Sequence, residues 1–323
     1  MLLNAENALI TEKKRMGHSL SMDEMKRTIS PIFKDDYKQE SPLVRVFNQY
    51  INDKSLRKRT HELYAVTLSK IESFTNNANS LQFEDITVGW LKKFDTWLME
   101  SCLSANARAI HLRNLRAVFN RAIDDELTTN YPFRKFKIIK EPTRKRALSV
   151  EQIRMLMKTP FLAYQRRYVD TFILMFYLMG INAVDLLTTK PSQVVDGRLE
   201  YKRAKTGTLY SIKIEPEAME IINKYKGKKY LLKFCDTVKD YRDYLKRMNM
   251  CLNKIIPGCS SYYARHSCAS IAAEIDVPMD TIARMLGHTD PARRITLVYI
   301  DFNQSKIDDA NRKVIDYVTC NRK

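Results

Sequence analysis

Apolar residues recur at helical spacing along much of the chain, and short polar connections separate these stretches. From Ser41 onward the pattern predicts four amphipathic helices, over 42–52, 58–74, 87–100 and 105–126. The fourth follows Ser104, a residue type favoured at the position before a helix. Its apolar side chains form one stripe, which comprises Leu112, Leu115, Phe119, Ala122 and Ile123. Four such helices predict a helical bundle.

A different pattern begins after residue 147. Ser149 opens a capping box with Gln152, and the mostly apolar stretch 168–180 predicts a helix at the centre of a domain. Stretches 194–195, 198–205 and 210–214 read as strands, with a tight Asp196-Gly197 turn between the first two. The chain is therefore predicted to be mostly α, with a helical bundle followed by an α+β domain that holds a small three-stranded antiparallel sheet.

Three further helices are predicted towards the C-terminus. The first covers 264–274 and ends before Val277-Pro278, and the second covers 280–286 and is closed by Gly287. The third lies within 303–317, where apolar residues at helical spacing require a partner surface. The sequence leaves open whether this last helix docks on its own domain or on a neighbouring subunit.

The stretch 260–299 gathers three residues that suit phosphodiester chemistry, Arg265, His288 and Tyr299. An arginine meets the growing negative charge of a phosphodiester under attack with a planar, permanently cationic set of donors. A tyrosine oxygen can attack phosphorus, although its free pKa of about 10 requires nearby cations or a base. His288 lies directly after the predicted helix end at Gly287 and not within the apolar face of a helix.

These residues resemble a known signature. Ala264-Arg265-His266, Leu286-Gly287-His288 and Tyr299 resemble the C-terminal motifs of the tyrosine recombinase (phage integrase) family, in the form found in integrases of conjugative elements. The resemblance implies that Arg265 and His288 bind the scissile phosphate and that Tyr299 becomes joined to the 3′ end of DNA. It also implies that Lys205, in Lys205-Thr206-Gly207, is the general acid for the departing 5′ oxygen.

Two positions depart from the family pattern. Tyr262 stands where the family has the first histidine of His-x-x-Arg, and Asn182 stands where it has an arginine. Strand alternation makes Arg203 the candidate replacement for that arginine, because Arg203 and Lys205 fall on one face of the predicted strand. Arg198 is the second candidate. Tyr262 carries another hydroxyl and remains a rival attacking group.

The resemblance covers the chain from Ser41 onward and implies the following organisation. Residues 1–40 form a tail or short helix, with one helix-like stretch at 21–29, and 41–138 form a core-binding helical domain that contacts DNA. A basic linker follows at 139–147, a catalytic domain at 148–301 and a C-terminal helix at 302–323.

The charge balance favours a nucleic-acid partner. Lys and Arg number 55 against 37 Asp and Glu, which leaves a net charge of +18. The alternative partner is a membrane surface. The longest apolar run of the chain, 172–181, is shorter than the ~20 residues that a bilayer-spanning helix requires, so no such helix is predicted. With no signal peptide pattern, the sequence predicts a cytoplasmic, DNA-associated bacterial protein.

Candidate phosphate contacts lie on the fourth helix and in the basic segment 131–147 that follows it: Arg108, Arg113, Arg116, Arg121, Lys135, Arg144, Lys145 and Arg146. The alternative is that these positions are merely a solvated surface and spacer. The six cysteines show no zinc-binding spacing, and no glycine-rich nucleotide loop occurs. This absence fits what the resemblance implies, because a phosphotyrosine link conserves the energy of the broken DNA bond and strand transfer then needs neither ATP nor a metal.

Recombination implies double-stranded DNA as partner and a tetramer of the chain on DNA, while an accessory DNA-bending protein is left open. The alternative function is a DNA-binding protein that has the recombinase scaffold but no longer cuts, for which Asn182 and Tyr262 are the argument.

Overall fold

The computed structural model describes residues 2–25, 27–28, 40–101, 103–143, 145–236, 241–287 and 304–320. The chain divides into two compact units, residues 1–143 and 144–323. No helix within the described ranges combines the length and apolar character needed to cross a membrane.

The first unit is helical. Its helices are α1 Leu2–Met16, α2 Pro42–Asn52, α3 Lys58–Thr75, α4 Val88–Glu100 and α5 Ala105–Asp124. Residues 22–25 and 27–28, inside the predicted stretch 21–29, are also helical. Helix α1 was not predicted, because its helix-forming Leu, Ala, Glu and Lys residues do not produce a clear apolar stripe.

Helices α2 to α5 form the predicted bundle, and α5 packs against the other three. Phe47, Phe83, Phe94 and Phe119 are fully buried at its centre. The Ser104 hydroxyl accepts the backbone N–H of Ala107 and so caps α5 as expected. Of the predicted stripe on α5 only Ile123 is not fully buried.

The second unit holds eight helices in its described part. They are α6 Val150–Lys158, α7 Ala163–Tyr177, α8 Ala183–Thr188, α9 Pro216–Lys224, α10 Tyr241–Ile255, α11 Tyr262–Glu274, α12 Met279–Met285 and α13 Gln304–Thr319. Every residue from Tyr168 to Tyr177 is buried, and α7 contacts α6, α9, α10 and α11. Helix α7 is therefore the centre of this unit, as its apolar sequence predicts.

The small sheet has three antiparallel strands in the order β1-β2-β3: Val194–Val195, Arg198–Lys202 and Leu209–Lys213. Asp196 and Gly197 both have positive φ, which the two-residue hairpin turn requires. Leu199 and Tyr201 are buried and alternate with exposed residues. The mostly α fold with a three-stranded antiparallel sheet is thus confirmed. Strand β2 ends at Lys202, however, so the predicted strand to 205 was three residues too long.

Helix α13 docks on its own unit, against α6, α11 and α12. Asn311 is buried and donates to the carbonyl of Tyr177. Arg154 of α6 donates to the last carbonyls of α13, at Tyr317, Val318 and Cys320. In this single chain, α13 therefore packs on its own domain.

Candidate active site

Arg265 lies in the first turn of α11 and is 9% exposed. Its guanidinium donates to the carbonyl of Gly180 at 3.2 Å and to the carbonyl of Leu286. Gly180 has φ +67°, and a Cβ there would lie 2.4 Å from the Cα of Arg265. The connection between α7 and α8 therefore packs against the backbone of Arg265 and leaves no room there for a side chain.

The carbonyl of Leu286 is a shared acceptor. Besides Arg265, the Tyr210 hydroxyl of β3 donates to it at 3.0 Å. Gly287 follows with φ +59°, and a Cβ there would overlap the Tyr210 oxygen. The Leu-Gly part of the Leu286-Gly287-His288 motif is thus fixed beside Arg265 and the sheet. His288 and Tyr299 lie outside the described residues.

Arg203 follows β2 and lies close enough to Arg265 for their charges to interact. Burial lowers the pKa of the Arg265 guanidinium, and the charge of Arg203 lowers it further. The Arg203 Nε is buried without a hydrogen-bond partner. Within the described ranges, neither guanidinium forms an ion pair with a carboxylate. Two cationic side chains are therefore near enough to influence each other, and the Arg203 Nε is available to donate to an anion.

Lys205 is not on the strand. It is exposed in the 204–206 turn, which is closed by the N–H of Gly207 donating to the carbonyl of Arg203 at 2.8 Å. Strand alternation therefore ends at Lys202 and no longer places Lys205 on the same face as Arg203. Arg203, directly after the strand, is still two residues beyond Tyr201 and four beyond Leu199, the two positions that face inward.

Asn182 and Asp185 tie α8 to this turn. The Asn182 amide donates to Asp185 Oδ2 at 3.2 Å, and Asp185 Oδ1 accepts the backbone N–H of Ala204 at 2.8 Å. Asp185 is buried. Sequence reasoning did not assign it a role, although an acid inside a short buried helix is a usable signal because buried carboxylates are normally hydrogen-bonded.

Arg198, the second candidate for the missing cation, has a partner. Its guanidinium forms a two-point ion pair with Asp308 of α13, at 2.8 and 3.1 Å, and also bonds Ser211. Gln304 donates to the Ser211 carbonyl at 3.1 Å. Arg198 therefore fastens α13 to the sheet, and of the two candidates Arg203 is the one with a free donor.

Tyr262 and His266 stand one turn apart on α11, on the side of Arg265. Their rings meet edge to face, with centroids 4.5 Å apart and planes at 73°. The Arg146 guanidinium of the linker lies 6.0 Å from the Tyr262 ring centroid. Arg146 and Tyr262 are both exposed, and the structure groups them although sequence reasoning placed them in separate roles.

The candidate DNA-contact residues of the bundle do not share one surface. Arg116 is exposed and Arg113 partly so, on one side of α5. Arg121 lies over the Tyr50 ring at 5.2 Å. Arg108 points elsewhere, since it donates to Asp95 at 2.8 Å and to the carbonyl of Leu103. Its guanidinium serves the fold of the bundle.

Of the candidates in the basic segment 131–147, Lys135, Lys145 and Arg146 are exposed, and Arg144 lies outside the described residues. Glu141 exchanges two backbone-to-side-chain hydrogen bonds with Asn106 of α5. The Leu148 N–H donates to Ser267 of α11 at 2.8 Å. Each end of the linker is therefore anchored to its own unit. Across the described ranges no three His, Cys, Asp or Glu side chains group as a metal site would require.

Comparison with known proteins identifies a domain family for part of the chain and solved structures with a similar fold. Residues 42–138 match the family described as phage integrase SAM-like domain. No curated protein matches the sequence. A lambda integrase dimer bound to a COC′ core site is 16% identical, with a TM-score of 0.60 over 76% of this chain and 94% of that one.

Two other solved structures are similar. The Tn1549 transposon integrase in complex with circular intermediate DNA is 14% identical, with a TM-score of 0.63 over 85% of this chain and 99% of that one. A lambda integrase tetramer bound to a Holliday junction is 16% identical, with a TM-score of 0.60 over 80% and 76%. At such identities the likeness establishes the fold, and the predicted resemblance is confirmed to that extent.

Proposed function

Since this chain carries a phage integrase SAM-like domain and has the fold of the tyrosine recombinases, we propose that it is a site-specific DNA recombinase of the integrase type. Its substrate is double-stranded DNA. The lambda and Tn1549 integrases with this fold were solved with DNA, one of them as a tetramer on a Holliday junction. A tetramer on DNA, with or without an accessory bending protein, is the matching assembly for this chain.

The observation that supports the proposal is the buried Arg265, together with the unpartnered Nε of Arg203, whose charge is near enough to lower the pKa of Arg265. Two like charges brought together with a buried Nε unpaired are costly unless an anion joins them. A phosphodiester supplies that anion, and its charge grows in the transition state, where arginine donors act most strongly. In the sequence His288 lies two residues after Leu286, whose carbonyl accepts a hydrogen bond from Arg265, and Tyr299 follows thirteen residues after Leu286.

In the proposed reaction the Tyr299 oxygen loses its proton to water and forms a bond to phosphorus. The bond from phosphorus to the 5′ oxygen breaks, and that oxygen leaves with the electron pair and takes a proton from Lys205. Arg265, Arg203 and His288 hold the non-bridging oxygens. The 3′-phosphotyrosyl link conserves the energy of the broken bond, so the 5′ hydroxyl of a second strand can reverse the step without ATP.

The test begins with the DNA that the protein binds in its own cells. A duplex of that sequence with a nick beside the cleavage position lets the short 5′ fragment diffuse away, so a covalent adduct accumulates. We expect an adduct that survives denaturant with the parent protein and none with Tyr299→Phe, which loses only the attacking oxygen. Peptide mapping of the adduct distinguishes Tyr299 from Tyr262. Binding without any adduct would instead support a DNA-binding protein that no longer cuts.

A second experiment tests Arg203 as the replacement for the cation missing at Asn182. Loss of a contact aimed at the transition state typically costs ~10²-fold in rate. Arg203→Ala should therefore slow adduct formation by about that factor with DNA affinity nearly unchanged, and Asn182→Arg should restore part of the rate. Lys202→Ala is the matched control, since Lys202 is the exposed neighbouring residue at the end of β2. Equal rates for the two alanine variants would remove Arg203 from the reaction.

A further inference from the structure

Tyr210 of β3 connects the small sheet to the end of α12. Its hydroxyl donates to the Leu286 carbonyl at 3.0 Å, and the Arg265 guanidinium donates to the same oxygen. A carbonyl oxygen has two lone pairs, so it can accept both hydrogen bonds. Tyr210 and Arg265 therefore meet at one backbone atom, which lies two residues before His288 in the sequence.

The ring of Tyr210 is held by the neighbouring strand. It stacks on the ring of Tyr201, its partner across β2 and β3, with centroids 5.2 Å apart and planes at 20°. Tyr201 is buried. Aromatic pairs across two strands stabilise each other, so the Tyr210 hydroxyl is presented to Leu286 by a side chain with few alternative positions.

Gly287 shows how closely the backbone and the Tyr210 ring are fitted. Its φ is +59°, and a Cβ at this position would overlap both the Tyr210 oxygen and the ring carbon that carries it. A glycine meets both requirements, the positive φ and the close approach. Tyr210 therefore contacts this backbone twice, by a hydrogen bond to Leu286 and by packing against Gly287.

The same contact acts on Arg265. Burial lowers the pKa of this guanidinium, the charge of Arg203 lowers it further, and Tyr210 opposes both. The acceptors of the Arg265 guanidinium are the neutral carbonyls of Gly180 and Leu286. Without the Tyr210 hydroxyl, the Leu286 carbonyl keeps its bond to Arg265 but loses its bond to the sheet, so the carbonyl and the guanidinium can shift together.

We propose that Tyr210 is a positioning residue for strand cleavage. Its hydroxyl holds the Leu286-Gly287 backbone, and through this backbone it holds the Arg265 guanidinium and the chain that leads to His288. The inference rests on the proposed function for the reaction that it serves. It assigns Tyr210 no contact with DNA, so loss of the hydroxyl should act on the rate of cleavage and not on the affinity for DNA.

The experiment compares the parent with Tyr210→Phe, which keeps the ring and loses only the hydroxyl. Hydrogen exchange of the free full-length protein, followed by mass spectrometry, reports on residues 282–287, where the N–H groups of Leu286 and Gly287 donate within the last turn of α12. We expect exchange there to be about 10-fold faster in Tyr210→Phe, because this turn loses a hydrogen bond to the sheet.

The second measurement is the rate of adduct formation at a saturating concentration of the nicked duplex. Tyr210→Phe should lower this rate by about 10-fold, with the Kd for the duplex unchanged. Tyr225→Phe is the matched control, because it removes a tyrosine hydroxyl from another bond in the same unit, to Asp170 at 2.8 Å. It should leave both the exchange at 282–287 and the adduct rate as in the parent, whatever its effect on overall stability.

A third comparison separates positioning of the arginine from a general loss of structure. Arg265→Lys keeps a positive charge but lacks the planar fork that donates to two carbonyls. If Tyr210 acts through Arg265, Tyr210→Phe slows the Arg265→Lys protein by less than it slows the parent. An equal effect in both backgrounds would overturn the proposal, as would faster exchange with an unchanged adduct rate.

The two proposals fail in different ways. If the parent forms no adduct, the recombinase chemistry is wrong. If exchange at 282–287 is the same in Tyr210→Phe and the parent, Tyr210 does not hold this backbone, and the positioning role is wrong even where the parent cleaves DNA.

Discussion

Gly180 packs directly against Arg265. A Cβ at position 180 would lie 2.4 Å from the Cα and 2.9 Å from the Cβ of Arg265, distances that no real side chain occupies. The loop after α7 thus sets the position of the arginine on which the proposed phosphate site depends. A single methyl group added here acts on the site through the backbone.

We therefore expect Gly180→Ala to lower both stability and strand cleavage. Gly197→Ala is the control, because Gly197 has a similar φ of +71° but nothing within 4 Å of an added Cβ. Both variants carry the ~1–2 kcal/mol cost of a left-handed residue, and overpacking at 180 adds about 1–3 kcal/mol. Thermal unfolding measures the difference. Equal destabilisation would mean that the contact with Arg265 relaxes freely.

The arginines of α5 should separate by function. If Arg113 and Arg116 contact phosphates, changing both to alanine reduces the slope of log affinity against log salt by about 1 per contact. Arg108→Ala should leave that slope unchanged and destabilise the bundle, because it removes the partner of Asp95. Fluorescence anisotropy over a salt series, together with chemical denaturation, tests both statements. A changed slope for Arg108→Ala would contradict them.

His111 makes the stability of the bundle depend on pH. The Thr67 hydroxyl donates a hydrogen bond to the Leu63 carbonyl and lies 3.0 Å from the His111 Nδ1. Nδ1 therefore carries a hydrogen and donates it to the Thr67 hydroxyl. Burial, and then the charge of Lys70, lower the pKa of His111 from 6.5 to about 4. Between these values the unfolded chain binds more protons, so the free energy of unfolding falls as pH falls.

The contribution of His111 is fully present above pH 6.5 and is lost by about pH 4, with a size of up to about 3 kcal/mol. Denaturation measured at intervals across this window should show the decline in the parent. His111→Leu removes the titrating group and should flatten this part of the profile, whatever its effect on absolute stability. Parallel profiles for the two proteins would show that other groups cause the decline.

Arg312 should hold α13 in place. It donates to both oxygens of Glu217 at 2.9 and 2.8 Å and to the buried Glu215 at 3.2 Å. Arg312→Ala leaves a buried carboxylate short of partners, which typically costs 3–5 kcal/mol when a buried pair is broken and about half that at this partly exposed arginine. Limited proteolysis at the C-terminus should become faster. Adding Glu215→Gln to Arg312→Ala should recover part of the loss, and a strictly additive result would exclude the coupling.

Local signals predicted most of the elements correctly. Ser104 and Ser149 cap helices where the sequence places them, and Asp196-Gly197 makes the hairpin turn because both positions need positive φ. The end of β2 was missed since it depends on Asp185, which draws in the N–H of Ala204 from a distant part of the chain. Strand periodicity carries no information about such a bond.

The site was predicted less completely, and for a similar reason. Arg265 was placed by motif and helix position, and Arg203 by parity. Arg108 and Arg198 were both considered as contacts for DNA, yet the structure pairs them with Asp95 and Asp308. An ion pair across the fold is invisible to residue spacing, because it depends on which surfaces meet. No role was assigned to His266 from the sequence, because its contact with the Tyr262 ring is seen only in the structure.

Two adjacent residues of β3 hold the two ends of the segment that contains Tyr299. The Tyr210 hydroxyl holds the Leu286 carbonyl, and the Ser211 carbonyl holds Gln304. Tyr299 is five residues before Gln304, so while α13 stays docked its backbone reaches no more than ~17 Å from that anchor, at ~3.4 Å per residue. The tether is short on the scale of the protein. If Tyr299 is the nucleophile of the proposed reaction, the docking of α13 therefore sets an upper limit on how far that nucleophile can move, and only undocking of the C-terminal helix extends this limit.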